Sequence, residues 1–63
     1  MDRTKLEQFV QEYREHEAPS ASVEFLKNLA LALENGTERP KTFAERQFQI
    51  ALIRKGLLPS PGG

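Results

Sequence analysis

The chain has 63 residues, with nine acidic and nine basic side chains, one histidine and no cysteine. These counts exclude a disulfide framework and a thiolate metal site, and His16 alone cannot build a zinc site without carboxylate help. At this length one core rarely contributes more than ~3–5 kcal/mol of net stability, so oligomerisation or a bound partner is the remaining source of burial.

The first predicted helix covers residues 4–18. Thr4 followed by Glu7 has the spacing of a capping box, in which each side chain satisfies a backbone N–H at the open helix end. Leu6, Phe9, Val10 and Tyr13 then fall at i, i+3, i+4 and i+7, a narrow apolar seam on an otherwise polar helix. Pro19 stops it by disfavouring helical geometry at the residue before it.

The second predicted helix covers 22–35. Ser20 or Ser22 can cap it, and Glu24 places negative charge in the first turn, where it suits the helix dipole. Val23, Phe25, Leu26, Leu29, Ala30, Ala32 and Leu33 take about half the circumference, at ~100° per residue. This breadth marks the helix as the central one. Leu31 falls on the polar half and reads as an isolated exposed leucine. Asn35-Gly36 supplies the stop, since glycine adopts the left-handed conformation freely. Thr37 to Lys41 is a polar link in which Pro40 keeps Arg39 out of helical geometry.

The third predicted helix, 42–56, has clear signals at both ends. Thr42 and Glu45 repeat the capping-box spacing, and Gly56 is placed for a Schellman motif with Leu57 in contact with Leu52. Its apolar residues form two stripes: Ala44, Phe48, Ala51 and Leu52, and separately Phe43, Ile50, Ile53 and Leu57. A helix apolar on two faces is usually buried on two faces.

The expected fold is therefore all-α: one domain over 1–58, with three short helices in an antiparallel hairpin or three-helix arrangement. The pairing expected is up–down–up, or a hairpin of the second and third helices with the first laid across it. Residues 59–63, rich in proline and glycine, are expected to form a flexible tail, and Leu58 is read with that tail.

Charge is unevenly spread. Up to Gly36 seven acids face four bases, a net −3; beyond it Arg39, Lys41, Arg46, Arg54 and Lys55 face Glu38 and Glu45, a net +3. This separation fits complementary packing of two chains or a basic end offered to an acidic partner. No apolar run reaches the ~20 residues of a membrane span, and MDRTKLEQ has no apolar core of a signal peptide. The expectation is a cytoplasmic protein that does not engage a membrane.

No motif for catalysis is present. Glu12, Glu15 and His16 share one helix face by spacing, but two or three groups on an exposed helix do not make an acid–base or metal site. No glycine-rich phosphate loop occurs. Neither an enzyme, nor a cofactor, nor a small-molecule substrate is expected.

A helix-turn-helix reading of residues 23–58 fails on element length, because the first candidate helix is too long and the reading helix would spend its exposed side on Phe43, Ile50 and Ile53. A ribbon-helix-helix dimer would need a strand where this chain has a capped helix.

The function expected is a small helical protein–protein interaction module, a regulator or adaptor of a larger protein. It would associate with itself, as a dimer, through Phe43, Ile50, Ile53 and Leu57. The alternative is a small DNA- or RNA-binding regulator using Arg39, Lys41, Arg46, Arg54 and Lys55. A monomer, with the first helix covering the second stripe, is the simplest competing arrangement.

Overall fold

Helices α1 (Arg3–His16), α2 (Val23–Asn35) and α3 (Phe43–Arg54) form the computed structural model, which describes residues 1–60. No strand occurs among the described residues, and the all-α, three-helix expectation holds with small changes at the helix ends.

The start of α1 is capped by Asp2 rather than Thr4. Asp2 Oδ1 accepts from the backbone N–H groups of Thr4 and Lys5 at 2.9 and 3.1 Å. Aspartate is at least as good a cap as threonine, and its charge also meets the positive end of the helix dipole. This moves the helix start upstream and leaves Glu7 free to face α2. At the other end α1 stops at His16, before the predicted Ala18. The N–H groups of Glu17 and Ala18 both donate to the Tyr13 carbonyl, at 2.8 and 3.1 Å, and Pro19 prevents a further turn.

A tight turn follows, closed by the Ala21 N–H donating to the Ala18 carbonyl at 3.0 Å. Arg14 Nε donates to the Ala21 carbonyl at 2.9 Å and ties the turn back onto α1. Of the two candidate serines, Ser22 is the cap of α2: its Oγ accepts from the Phe25 N–H at 3.0 Å. Gly36 ends that helix at φ +75°, and the Thr37 N–H reaches back to the Ala32 carbonyl at 3.0 Å, the long bond of a Schellman ending.

Both predicted signals of α3 are present. Thr42 Oγ1 accepts from the Glu45 N–H at 3.1 Å. The Glu45 carboxylate reaches one residue further back than a standard box and accepts from the Lys41 N–H at 2.9 Å. At the far end Gly56 takes φ +75°, its N–H donates to the Ile53 carbonyl, and the Leu57 N–H donates to the Leu52 carbonyl at 2.9 Å. These are the two bonds of the Schellman motif, and Leu52 and Leu57 share the core as that motif requires.

Helices α1 and α2 run antiparallel. The Met1 ammonium lies 2.8 Å from a Glu34 carboxylate oxygen at one end, and the chain turns at Ala18–Ala21 at the other. This is the most extensive helix pair, and α3 meets α2 less extensively. Of the two expected arrangements, the α2–α3 hairpin with α1 laid across it is not the closer description: α1 and α2 form the main hairpin and α3 packs on it. The link from Gly36 to Thr42 is long enough to fold back along α2, where Glu38 shares a groove with Phe25, Asn28, Leu29 and Ala32. It therefore does not force its two helices side by side.

The core combines Leu6, Phe9 and Val10 with Leu26, Leu29 and Ala30, and with Phe48 and Leu52 from α3. Phe48 lies between α1 aromatics, with ring centroids 5.9 Å from Phe9 and 5.1 Å from Tyr13. Two expectations are corrected at its edges. Leu58 is buried at 7% exposure rather than part of a loose tail, because the chain reversal at Gly56 turns both Leu57 and Leu58 back onto the core. Leu31 packs partly against the core. It lies one turn beyond Lys27, whose Nζ is 2.7 Å from Glu7 Oε2 on α1, so α1 covers the flank of α2 that the pattern marks as polar. Of the expected tail, Pro59 and Ser60 are exposed, and residues 61–63 lie outside the described residues.

Candidate functional site

The position of α1 on the Lys27–Leu31–Glu34 flank of α2 has a consequence on the opposite flank. Phe25 stands toward the far edge of the apolar arc, only partly covered by the neighbouring helices, and is 52% exposed. It forms the lip of a groove of about 130 Å³ whose walls include Tyr13, Ala21, Leu26, Leu29, Ala44 and Phe48. Tyr13 and Glu17 come from the end of α1, and Ala44 and Glu45 from the start of α3. The groove is thus built where α1 ends, α2 begins and α3 begins.

The lining is apolar except at its rim, where the charged groups are Glu17 and Glu45; Glu38 joins them in the adjoining groove that shares Phe25 and Leu29. Among the described residues, no lysine or arginine lines either groove. Burial among these side chains pushes the Tyr13 phenol above its usual range, and the charge of Glu17 adds to that shift. The volume suits one aromatic ring: an apolar cavity of ~150 Å³ takes a benzene ring, whereas sites for drug-sized ligands span ~300–1,000 Å³.

The predicted docking stripe is divided by the fold. Leu57 is 9% exposed and belongs to the core, and Ile53 is half-buried against it. These two are consumed within the chain, because the reversal at Gly56 draws the end of α3 inward. Ile50 is half-buried and Phe43 is 80% exposed. Phe43, Gln47, Ile50 and Arg54 follow one another at i, i+4, i+7 and i+11 on the face opposite Phe48 and Leu52, with Arg46 beside Phe43. What remains of the stripe is an apolar pair set among cations.

Arg39, Lys41, Arg46, Arg54 and Lys55 are all exposed, and none takes part in an ion pair among the described residues. They are not gathered into one site. Arg46 and Arg54 share the outward side of α3, whereas Lys55 lines a separate groove of about 200 Å³ with Lys5, Gln8, Phe9, Glu12 and Leu57. That second groove mixes two lysines with a glutamate, a lining of both signs with one positive charge in excess.

The chemistry-bearing groups of α1 stay dispersed. Glu12, Glu15 and His16 are exposed, and among the described residues no three histidine, aspartate or glutamate side chains come together as metal ligands. No helix among the described residues is long and apolar enough to cross a membrane.

Phe25 and Ala44 are the residues that pattern reading missed. The period of α2 groups Phe25 with its buried face, yet its place near the margin of the arc is the available signal. Compared with known proteins, the chain matches no family model, no curated protein and no solved structure.

Proposed function

We propose that this chain is a small non-catalytic helical interaction module, a regulator or adaptor that docks on protein through the end of the molecule where α3 begins. The observation that carries this reading is the exposure of two phenylalanines there, Phe43 at 80% and Phe25 at 52%, beside an apolar groove. Exposed large aromatics next to a concave apolar surface are the usual anchors of a protein interface. The dispersal of the acidic and histidine side chains supports a binding role over a catalytic one.

The test is site-directed photo-crosslinking in cells that express the chain. Benzoylphenylalanine at position 43 or 25 is expected to capture a discrete protein species, while the same group at exposed Gln11 on α1 captures none. Equal or absent capture at all three positions would remove the reading.

Nucleic-acid binding is the second reading, favoured by Arg46 and Arg54 projecting from one side of α3 without acidic partners among the described residues. It requires retention on duplex DNA or RNA that falls steeply with log salt. No retention at low salt ends it.

A further inference from the structure

We infer that the occupant of the Phe25 groove is Phe43 of a second copy of this chain, exchanged reciprocally about a two-fold axis. The inference rests on the proposed interaction role and names its partner.

Three observations carry it. The first is position. Phe43 directly precedes Ala44, a wall residue of the groove, so the projecting ring and the groove sit at the same turn of α3. A two-fold interface uses one patch twice, and its projecting residue and its receptor must lie side by side on that patch. Ala44 between them is small and exposed, which lets two α3 helices approach closely.

The second is fit. The groove holds about 130 Å³ of apolar-lined space, enough for one aromatic ring, and the residue offered is one aromatic ring at 80% exposure. Insertion would also cover Phe25 on the lip.

The third is charge. Phe43 is flanked by Lys41 and Arg46, both exposed and without an acidic partner among the described residues. The groove that would receive it has Glu17 and Glu45 as its charged lining among the described residues; Glu45 also stands beside Phe43 on its own chain, accepting from the Lys41 N–H, so Glu17 is the carboxylate that answers the partner's cations. A cation-flanked ring meeting a carboxylate-rimmed groove is complementary, and the same contact occurs twice in the dimer.

The experiment is sedimentation equilibrium of the purified full chain from about 10 to 500 µM, the range in which a small wet interface associates. Wild type is expected to approach twice the monomer mass with rising concentration. Phe43→Ser should weaken association by about a hundredfold or more, since a buried aromatic anchor is lost at both symmetric sites. Its helical circular dichroism should be unchanged, because the ring makes no part of the monomer core. Glu17→Arg and Arg46→Glu should each weaken the dimer roughly fivefold, and the double variant should recover most of that loss.

A wild-type monomer across the whole range would overturn the inference, as would a Phe43→Ser variant that dimerises as tightly as wild type. A monomer whose position-43 crosslinker still captures a different protein in cells would remove the second copy as occupant and leave the interaction role standing.

Discussion

Tyr13 and Phe48 meet edge to face where α1 touches α3, with ring centroids 5.1 Å apart and planes at 62°. Phe48 also stacks on Phe9 with ring centroids 5.9 Å apart and planes inclined by 29°, so one α3 side chain is held by two from α1. Such pairs add ~0.5–1.5 kcal/mol each beyond simple area burial.

Phe48→Ala is therefore the core substitution expected to do most harm. It would remove ~3–5 kcal/mol, comparable to the whole net stability of a chain this small. Thermal and urea melts followed by circular dichroism should show a largely unfolded variant at 25 °C. Phe48→Leu, which keeps much of the volume, should remain folded with a lowered midpoint. A fully stable Phe48→Ala would mean that α3 is not anchored by this ring.

The two caps of α1 make opposite predictions. Because Asp2 accepts from the Thr4 and Lys5 N–H groups, Asp2→Ala should cost ~1 kcal/mol. Thr4→Ala should change stability by no more than ~0.5 kcal/mol, as for an ordinary surface site. Denaturant midpoints at constant slope decide between them, and the reverse order would restore Thr4 as the cap.

Gly56 is left-handed at φ +75°, and a Cβ built there meets nothing within 4 Å. The cost of Gly56→Ala is then conformational alone, about 1 kcal/mol. Gly56→Asn should cost less, since asparagine enters the left-handed region more readily. Urea titration of the three proteins should rank them glycine, asparagine, alanine. A much larger loss for alanine would reveal a steric contact at that corner.

The ion pair between Glu7 and Lys27 gives the fold a pH dependence whose sign can be worked out. The hydrogen bond from Lys27, and then its charge, hold the Glu7 carboxyl below its usual range. The hydrogen bond to Glu7 and its charge hold the Lys27 ammonium above its usual range. A lowered carboxyl contributes stability that is present above the ordinary value, ~4.3, and lost as pH falls through the folded value. A raised ammonium contributes stability present below ~10.4 and lost as pH rises through the folded value. Tyr13, pushed up by burial, adds to the alkaline loss from ~10 upward. Melting temperature against pH should thus fall at both ends, by a small amount for a pair at the surface. Lys27→Gln should flatten both limbs, whereas Tyr13→Phe should flatten only the alkaline one. If Lys27→Gln leaves the acid limb unchanged, the pair contributes nothing.

Local chemistry was the legible part of the fold. Ser22, Thr42, Gly36 and Gly56 act where their residue types and spacing place them, because caps and glycine turns involve only near neighbours. The seam of α1 is buried as its period requires, with Leu6, Phe9 and Val10 in the core. What was not legible depends on which side of α2 its neighbour chooses. The period of α2 marks an arc about half a turn wide but does not say where on that arc α1 will settle. Here α1 settles toward Lys27 and Leu31, where Glu7 meets Lys27, and Phe25 is left half-exposed. The candidate site was legible only in part for the same reason. Phe43 and Ile50 keep an outward position, but Ile53 and Leu57 are taken into the core by a reversal whose direction the glycine permits without dictating.

The turn between α1 and α2 is short, clamped by Arg14, and joins the two helices that share the largest interface. Contacts between chain neighbours cost little loop entropy, and a loop of about ten residues closes in ~10–100 ns. The α1–α2 hairpin is thus the natural first unit to assemble during folding, with α3 arriving last across a longer tether. In hydrogen-exchange measurements the amides of α3 should open before those of Leu6–Val10 and Leu26–Ala30, and it is this late-arriving helix that carries Phe43.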